Sequence, residues 1–183
     1  MPLTDTSHSK YMCDIIKNHT SEPIIIIPLN VNSTYGDIAK TIYSLFDKVI
    51  PTDIVLCSWA VPANIDLDDL FTELSKLCYV IAAAGNFKEP IENYTPARSE
   101  GVITVGTLNK SGLVAALSNY SNSKEVVWIP GTNYNVGWMN GSGTSVSAAV
   151  YTAFLAEALK NKDMSLLDKL IIEHKNKVFS ELN

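Results

Sequence analysis

Ser145 stands in a segment whose composition suits a nucleophilic serine. The run Asn140-Gly-Ser-Gly-Thr-Ser145 is crowded with small residues and leads directly into an apolar, helix-forming stretch. A serine at the start of a helix exposes its hydroxyl near the positive end of the helix dipole, and glycines let a substrate backbone approach closely. A nucleophilic serine also needs a base within reach. The alternative is a simple helix cap, a role that serine, threonine and glycine often fill.

Asn86 is the second residue with chemical potential. It follows Ala82-Ala-Ala-Gly85, at the end of an apolar run that predicts a buried strand. In open α/β sheets, ligands bind outside the carboxyl ends of the strands. A side-chain amide at that edge can donate a hydrogen bond to a developing oxyanion. The alternative is an asparagine that stabilises a turn.

Together, these two segments resemble the subtilisin-like serine proteases, the subtilases. Gly143-Thr144-Ser145, followed by small residues, is similar to the family's nucleophile motif, and Ala84-Gly85-Asn86 is similar to the motif of its oxyanion asparagine. Order and spacing resemble the family over residues 78–160, including the segments 96–98, 101–106, 117–121 and 128–131. The resemblance implies a subtilisin-like fold in which Ser145 is the nucleophile and Asn86 the oxyanion donor.

The resemblance also implies that His8 is the general base. His8 stands where the catalytic histidine of the family begins a helix, although the family's His-Gly-Thr-His motif is reduced here to His8-Ser-Lys-Tyr11. His19 and His174 have polar sequence neighbours, and we expect both to be surface groups.

The acidic partner of that histidine marks the largest departure from the family. The family's aspartate ends a strand well upstream of the histidine, whereas only seven residues precede His8 here, and Asp5 is the sole acid among them. Either the base works unsupported, or another acid replaces the aspartate, or a second chain contributes the strand. Ala149 also replaces a family proline, and Trp59 in a normally glycine-rich loop is expected to hinder docking of a substrate strand.

Strands and helices alternate along the chain, which predicts a mainly parallel sheet with helices on both faces. Apolar runs predict buried strands at 24–27, 53–58, 78–84, 101–106 and 126–129, and helical periodicity predicts helices from His8 onward and at 36–49, 66–77, 144–160 and 163–177. Ser7 is the predicted N-cap of the first helix. We therefore predict a single domain over residues 1–183, with a three-layer α/β/α architecture reduced at the N-terminus.

The missing strand leaves a gap in this predicted sheet. In the family it lies beside the strand read here at 24–31, and buried backbone groups without partners are costly. The chain must therefore close the gap itself or recruit a protein partner that supplies a strand. Direct pairing of 24–31 with 53–58 is the favoured solution.

Composition excludes several functional classes. The net charge of −5 provides no basic surface for nucleic acid, and no apolar run approaches the roughly 20 residues needed to span a bilayer. Cys13, Cys57 and Cys78 form no metal-binding or disulfide pattern, so we expect them to be small buried hydrophobic groups. Since no signal peptide is recognisable, we expect a cytoplasmic protein. The segment 17–23 is too short for the calcium loop of the family, so we expect no metal there, and we expect no other cofactor.

Three functions fit these observations. A serine endopeptidase would cleave a peptide or protein substrate through Ser145, His8 and Asn86. A pseudoprotease would keep the fold and bind a peptide or partner protein without cutting it. One half of a split protease would obtain the missing strand from a partner chain. The retention of all three residues favours the endopeptidase.

Overall fold

The computed structural model describes residues 6–21, 24–29, 34–165 and 167. Helices and strands alternate in it, as the sequence predicts. In chain order the principal elements are α1 (Thr6–His19), α2 (Tyr35–Tyr43), β1 (Ile54–Cys57), β2 (Val61–Pro62), α3 (Ile65–Ser75), β3 (Tyr79–Ala83), β4 (Tyr94–Thr95), β5 (Ile103–Leu108), β6 (Val126–Pro130), β7 (Tyr134–Asn135), β8 (Asn140–Gly141) and α4 (Thr144–Asn161). Most of the predicted helix at 163–177, with His174, lies outside the described residues.

Four of the strands form a parallel sheet in the order β1-β3-β5-β6. Each strand is followed by a connection that returns the chain to the same end of the sheet. The strands themselves are short and rich in β-branched or small apolar residues, as strands covered on both faces are. The register pairs Ile54 with Tyr79, Ile81 with Ile103, and Thr104 with Val126. The carboxyl ends of the strands therefore lie along one edge.

Helices cover both faces of this sheet. Ile81 and Ala83 of β3 pack with α1 and α4, whereas the alternate residues Val80 and Ala82 pack with α2 and α3. Since successive strand residues point to opposite faces, the two helix pairs lie on opposite sides of the sheet. The predicted three-layer α/β/α architecture with a mainly parallel sheet is confirmed.

Several helix boundaries differ from the prediction, those of α1 and α2 among them. α1 begins at Thr6, so Ser7 lies within its first turn and the prediction of Ser7 as the N-cap is wrong. α2 ends at Tyr43, six residues before the predicted end at 49. There the N–H groups of Leu45 and Phe46 donate to carbonyls three residues back, at 3.0 and 3.3 Å, so tighter turns replace the helix.

The prediction of a buried strand at 24–27 is wrong. The segment 24–29 has no regular secondary structure, and Ile25 and Ile27 are 92% and 74% exposed. Ile24 and Ile26 are half-buried and pack against the cluster formed by α1 and α4. An unbroken isoleucine run favours an extended backbone, but it has no periodicity that would distinguish one covered face from two.

β1 is an edge strand within the part of the chain that the structure describes. It pairs with β3 on one side, and residues 24–29 do not pair with it on the other. The predicted closure of the gap by 24–31 and 53–58 is therefore not seen for the described residues of those segments; residues 30–31 lie outside them. An edge of this kind presents backbone donors and acceptors that another strand can pair with.

Two short antiparallel pairs border the carboxyl edge of the sheet. β2 pairs with β4, with Val61 opposite Thr95, and so joins the segment after β1 to the segment before β5. β7 pairs with β8, with Tyr134 opposite Gly141, and forms a hairpin directly before α4. These pairs position the loops that carry the candidate site.

Candidate active site

Ser145 lies in the first turn of α4, beside the carboxyl edge of the sheet. Gly143 precedes the helix with a φ of +141°, a conformation that favours glycine. The Ser145 side chain is half-buried, and its hydroxyl donates a hydrogen bond of 2.9 Å to the carbonyl of Ser58, one residue beyond β1. The glycine-rich loop thus turns the chain so that the hydroxyl faces the sheet edge.

Asn86 follows β3 and binds the start of the same helix. Its Oδ1 accepts hydrogen bonds from the backbone N–H of Thr144 at 2.9 Å and from the Thr144 hydroxyl at 3.1 Å. Because these donors require the oxygen of the amide, the Nδ2 group points elsewhere, and it has no acceptor among the described residues. A Cβ on Gly143 would stand 3.0 Å from Nδ2, so the glycine leaves room for this amide.

Thr144 connects the two loops of the site. Its side chain is buried, and its hydroxyl accepts a hydrogen bond of 3.1 Å from the backbone N–H of Gly85 while it donates to Asn86. Gly85 has a φ of +103°, which turns the chain sharply at the end of the strand. The two motifs that the sequence singled out are therefore joined directly by hydrogen bonds.

A buried side chain that sequence reasoning did not single out holds the loop of Asn86. Asn119 is fully buried, and its amide donates to the carbonyl of Ala84 at 2.9 Å. Its Oδ1 accepts from the backbone N–H groups of Phe87 and Glu89, at 2.9 and 3.0 Å. One side chain therefore satisfies three backbone groups of the turn. The only signal in the sequence was the resemblance of segment 117–121 to the family.

α1 and α4 run side by side in the same direction. Near the end of α1, the ring of His19 lies 5.6 Å from the ring of Phe154 in the second half of α4, measured between centroids. Nearer the start of α1, the ring of Tyr11 packs against Gly141, three residues before α4 begins. Contacts near both ends therefore define a parallel pair.

This parallel arrangement brings His8 to the same end of the helix pair as Ser145. An α-helix rises about 1.5 Å per residue, so His8 is about 16 Å from His19 along α1, and Ser145 is about 14 Å from Phe154 along α4. The two residues therefore lie at about the same level. His8 is half-buried, and its spacing of three residues makes it a neighbour of Tyr11 on the surface of α1. Its role as the base stays a prediction.

The expectation that His19 is a surface group is wrong. Its imidazole is half-buried between the rings of Tyr134 and Phe154, and its Nε2 shares a short hydrogen bond with the Tyr134 hydroxyl. Burial lowers the pKa of His19 below its ordinary value, which favours the neutral ring. Its sequence neighbours are polar, but His19 follows buried Ile15 by four residues and so continues the buried face of α1.

Trp59, which we expected to hinder a docking substrate strand, is turned toward α3. Its ring packs edge-on against Phe71, with 6.0 Å between centroids, and belongs to the cluster formed by α2 and α3. The side chain is half-buried. The ring therefore contributes to packing beside the site.

The cysteines are placed largely as predicted. Cys57 and Cys78 are buried and Cys13 is half-buried. Burial raises the pKa of Cys57 to about 12 and that of Cys78 to about 11, so both thiols are protonated at neutral pH. Neither of these thiols is therefore a ready nucleophile at neutral pH.

The described ranges contain neither a cluster of metal-binding side chains nor a helix that could span a membrane. No three His, Cys, Asp or Glu side chains come together there as a metal site would require. None of the helices there combines the length and the apolar character needed to cross a bilayer.

The curated proteins that resemble this chain are two proteinases, and each matches it only over a short stretch. Proteinase R from Parengyodontium album is 34% identical over 68 residues, which are 37% of this chain and 17% of that protein. An alkaline proteinase from Hapsidospora chrysogena is 31% identical over 83 residues, 42% of this chain and 20% of that protein. The chain thus spans about a fifth of the length of these curated relatives.

Solved structures share the fold over a longer range. A cold-adapted subtilisin-like serine proteinase matches with a TM-score of 0.64 and 20% identity, over 71% of this chain and 50% of that one. A prenylagaramide maturation protease matches with a TM-score of 0.58 and 18% identity, over 76% of this chain and 55% of that one.

The model of the subtilase family matches residues 18–171, which include Asn86 and Ser145 but not His8. Since that match covers most of its length, the chain belongs to the subtilase family.

Proposed function

We propose that this chain is a serine endopeptidase-like hydrolase that cleaves peptide bonds through Ser145, with His8 as general base. Asn86 and the backbone N–H of Ser145 form the oxyanion hole. The observation that carries the proposal is the hydrogen bond of 2.9 Å from the Thr144 N–H to Asn86 Oδ1. It ties the amide to the residue next to the nucleophile and leaves its Nδ2 as a donor beside the attacking oxygen. Family membership supports a peptide or protein as substrate.

The proposed reaction uses these residues in the following order. Ser145 Oγ attacks the carbonyl carbon of the peptide bond while its proton passes to the imidazole of His8. The carbonyl oxygen gains the negative charge and accepts hydrogen bonds from Asn86 Nδ2 and the Ser145 N–H. The C–N bond then breaks, and the departing amine takes the proton from His8. A water molecule, deprotonated by the same imidazole, hydrolyses the acyl ester and restores the hydroxyl.

The start of α4 contributes two properties to this scheme. The first N–H groups of a helix have no acceptor within the helix, and the N–H of Ser145 has none among the described residues. The helix dipole also favours negative charge at this end, by roughly 0.3–1 kcal/mol at an exposed site. Both properties favour a developing oxyanion over the neutral carbonyl.

The hydroxyl of Ser145 must change its hydrogen-bond partner before it can react. It donates to the carbonyl of Ser58 at 2.9 Å, so its proton faces the end of β1 in this state. Rotation about the Cα–Cβ bond would turn the hydroxyl toward the imidazole. Exchanging one hydrogen bond for another costs little, on the order of 1 kcal/mol.

β1, which pairs on one side only among the described residues, favours a second candidate function, that of a catalytically impaired pseudoprotease. A strand paired there, from a partner protein or from another part of a longer polypeptide, would complete the sheet beside Ser58. Without it the site would bind a peptide or a partner and turn over slowly or not at all. With it, the chain would act as one half of a split protease.

Labelling with a fluorophosphonate probe, which reacts with activated serines, tests the proposal. We expect one adduct, located on Ser145 by peptide mass spectrometry. His8→Gln should slow labelling by about 10²–10⁴-fold, the usual contribution of a general base. His174→Gln is the matched control and should be labelled at the wild-type rate.

A different outcome would favour the pseudoprotease. The folded protein would then remain unlabelled at every pH, and a fluorescent peptide would bind the wild type and Ser145→Ala with equal affinity. Labelling that appears only after a partner chain is added would indicate the split protease.

A further inference from the structure

We infer that Tyr11 and Trp138 fasten the hairpin before Ser145 to the helix that carries His8, and that both are positioning residues of the site. The inference rests on the proposed function, because it concerns the placement of the base relative to the nucleophile. Its structural part, the coupling of the hairpin to α1, can be tested whether or not the protein is active.

The hairpin of β7 and β8 is short and closely connected to the nucleophile. Two hydrogen bonds close its turn. The N–H of Val136 donates to the carbonyl of Met139 at 3.0 Å, and the N–H of Gly137 donates to the side-chain oxygen Oδ1 of Asn135 at 2.6 Å. Between Gly141 at its end and the start of α4 there are only two residues. A displacement of the hairpin is therefore transmitted to the first turn of α4.

Tyr11 holds both strands of this hairpin. The residue is only 2% exposed, and its hydroxyl donates a hydrogen bond of 2.6 Å to the carbonyl of Tyr134 in β7. Its ring lies against Gly141 in β8, where an added Cβ would stand 2.9 Å from Tyr11 Cε1. Glycine at this position thus allows the backbone of the hairpin to approach α1 closely.

Trp138 holds the tip of the hairpin. Its Nε1 donates a hydrogen bond of 2.8 Å to Asp14 Oδ2, and the ammonium of Lys10 lies 4.4 Å from the ring centroid. The rings of Tyr11 and Trp138 form a T-shaped pair with 6.3 Å between centroids. Hydrogen bonds from Lys10 and Trp138 hold the pKa of the Asp14 carboxyl below its ordinary range. Although the residue is 49% exposed, its three polar and aromatic contacts all go to α1.

These contacts join the helix that carries His8 to the hairpin that precedes Ser145. Tyr11 is one helical turn from His8 on the same face of α1, and Gly141 is four residues before Ser145. Proton transfer requires the nucleophile and base to approach within about 2.6–3.2 Å. A displacement of about 1 Å can cost 10²-fold in rate. Loosening the hairpin should therefore slow the reaction without changing any reacting group.

Three variants and one control test this arrangement by the rate of labelling at saturating probe. Trp138→Ala should slow labelling by about 10–100-fold, with the probe's affinity changed by less than about threefold. Tyr11→Phe, which removes only the hydroxyl, should slow it by about tenfold. Trp138→Phe keeps the aromatic packing and should recover most of the loss. Trp128→Phe, in β6 on the opposite face of the sheet, should stay within about twofold of wild type.

Nuclear magnetic resonance tests the coupling independently of activity. In Trp138→Ala and Tyr11→Phe we expect the imidazole signal of His8 to shift at fixed pH. The Gly143 N–H, which donates to Gly131 at 2.9 Å, should exchange with solvent at least about tenfold faster. The Ala84 N–H, which donates to Val105 at 2.9 Å, should be unchanged and serves as the internal control.

The two readouts separate the inference from the proposed function. A folded wild type that is not labelled contradicts the proposed function, and the resonance data alone then decide the inference. Unchanged His8 and Gly143 signals in both variants overturn the inference whatever the activity. So does wild-type labelling of Trp138→Ala and Tyr11→Phe by an active protein.

Discussion

Replacing Ser145 by alanine should abolish both labelling by the fluorophosphonate probe and any hydrolysis of peptide bonds. The substitution removes the oxygen that forms the covalent bond, and loss of such a serine costs about 10⁶-fold in kcat. The fold should be retained, because among the described residues the side chain makes a single hydrogen bond, to the Ser58 carbonyl. The measurement is the rate of adduct formation by intact-protein mass spectrometry, together with hydrolysis of an unfolded protein substrate.

A matched control uses a serine outside the site. Ser111 is exposed in the turn after β5, and Ser111→Ala should react at the wild-type rate with the same thermal midpoint. Hydrolysis by Ser145→Ala at the wild-type rate would contradict the assignment of the nucleophile. The same conclusion would follow if the adduct in the wild type were found on another residue.

Replacing Asp68 by alanine should produce the largest loss of stability, about 3 kcal/mol in the free energy of unfolding. Asp68 is 6% exposed on α3, and its Oδ2 accepts from Arg98 Nε and Nη2, both at 2.5 Å. Its Oδ1 accepts from the hydroxyls of Thr95 and Ser99, both at 2.7 Å. Alanine would leave a cation and two buried hydroxyls without their acceptor. Since the Arg98 side chain is 31% exposed, we expect the lower end of the 3–5 kcal/mol range.

Asp68 bears on the site because it fixes the segment 95–99 that follows β4. Lys124 holds the same segment, since its ammonium donates to the carbonyls of Ala97 and Ser99 at 2.8 and 2.6 Å. Burial lowers the pKa of Lys124 to about 8, although the nearby carboxylates of Asp68 and Glu92 oppose this shift. Removing Asp68 withdraws one of the charges that favour the ammonium form. β4 and the β2 segment paired with it should lose order before the central sheet does.

Urea unfolding followed by fluorescence measures the effect of Asp68→Ala. The control is Asp69→Ala, the next residue on α3, which is exposed and should change the free energy of unfolding by less than about 0.5 kcal/mol. Equal stability of the two variants would contradict the account of the buried ion pair. Asp68→Asn, which keeps the shape and loses the charge, should fall between them.

The central sheet and its helices could be predicted because the helices have a clear apolar periodicity and the strands are short apolar runs bounded by breakers. The helix predicted at 144–160 is Thr144–Asn161, and the strands predicted at 53–58 and 78–84 are Ile54–Cys57 and Tyr79–Ala83. Breakers stand close to their ends: glycine before α4, proline before β1, and glycine with asparagine after β3. At these positions the conformation that the local sequence favours is the same as the one that packing in the fold requires.

The run at 24–27 was mispredicted because strand formation depends on a partner that local sequence does not specify. Isoleucine favours an extended backbone, but an extended segment becomes part of a sheet only when a neighbouring strand forms hydrogen bonds with it. Ile25 at 92% exposure shows how little of the run the described fold covers. His19 was misjudged for a related reason, since its burial comes from Tyr134 and Phe154, which are more than a hundred residues away in the chain.

The candidate site could be predicted in part. The motifs located Ser145 and Asn86, and the structure joins them through Thr144. Asn119, Tyr11 and Trp138 could not be found from the sequence, because each acts through contacts with distant segments. Their residue types are common, and only the fold shows that Asn119 binds the turn of Asn86 and that Tyr11 and Trp138 join the hairpin to α1.

A crystal structure of the phosphonylated protein would test the central claim most directly, namely that Ser145, Asn86 and His8 form one site. We predict a phosphorus atom bonded to Ser145 Oγ and a phosphoryl oxygen within about 3 Å of both Asn86 Nδ2 and the Ser145 N–H. The imidazole of His8 should lie within hydrogen-bond distance of an oxygen on the adduct. An adduct whose phosphoryl oxygen faces away from Asn86, or an imidazole on the opposite side of α1, would contradict the account.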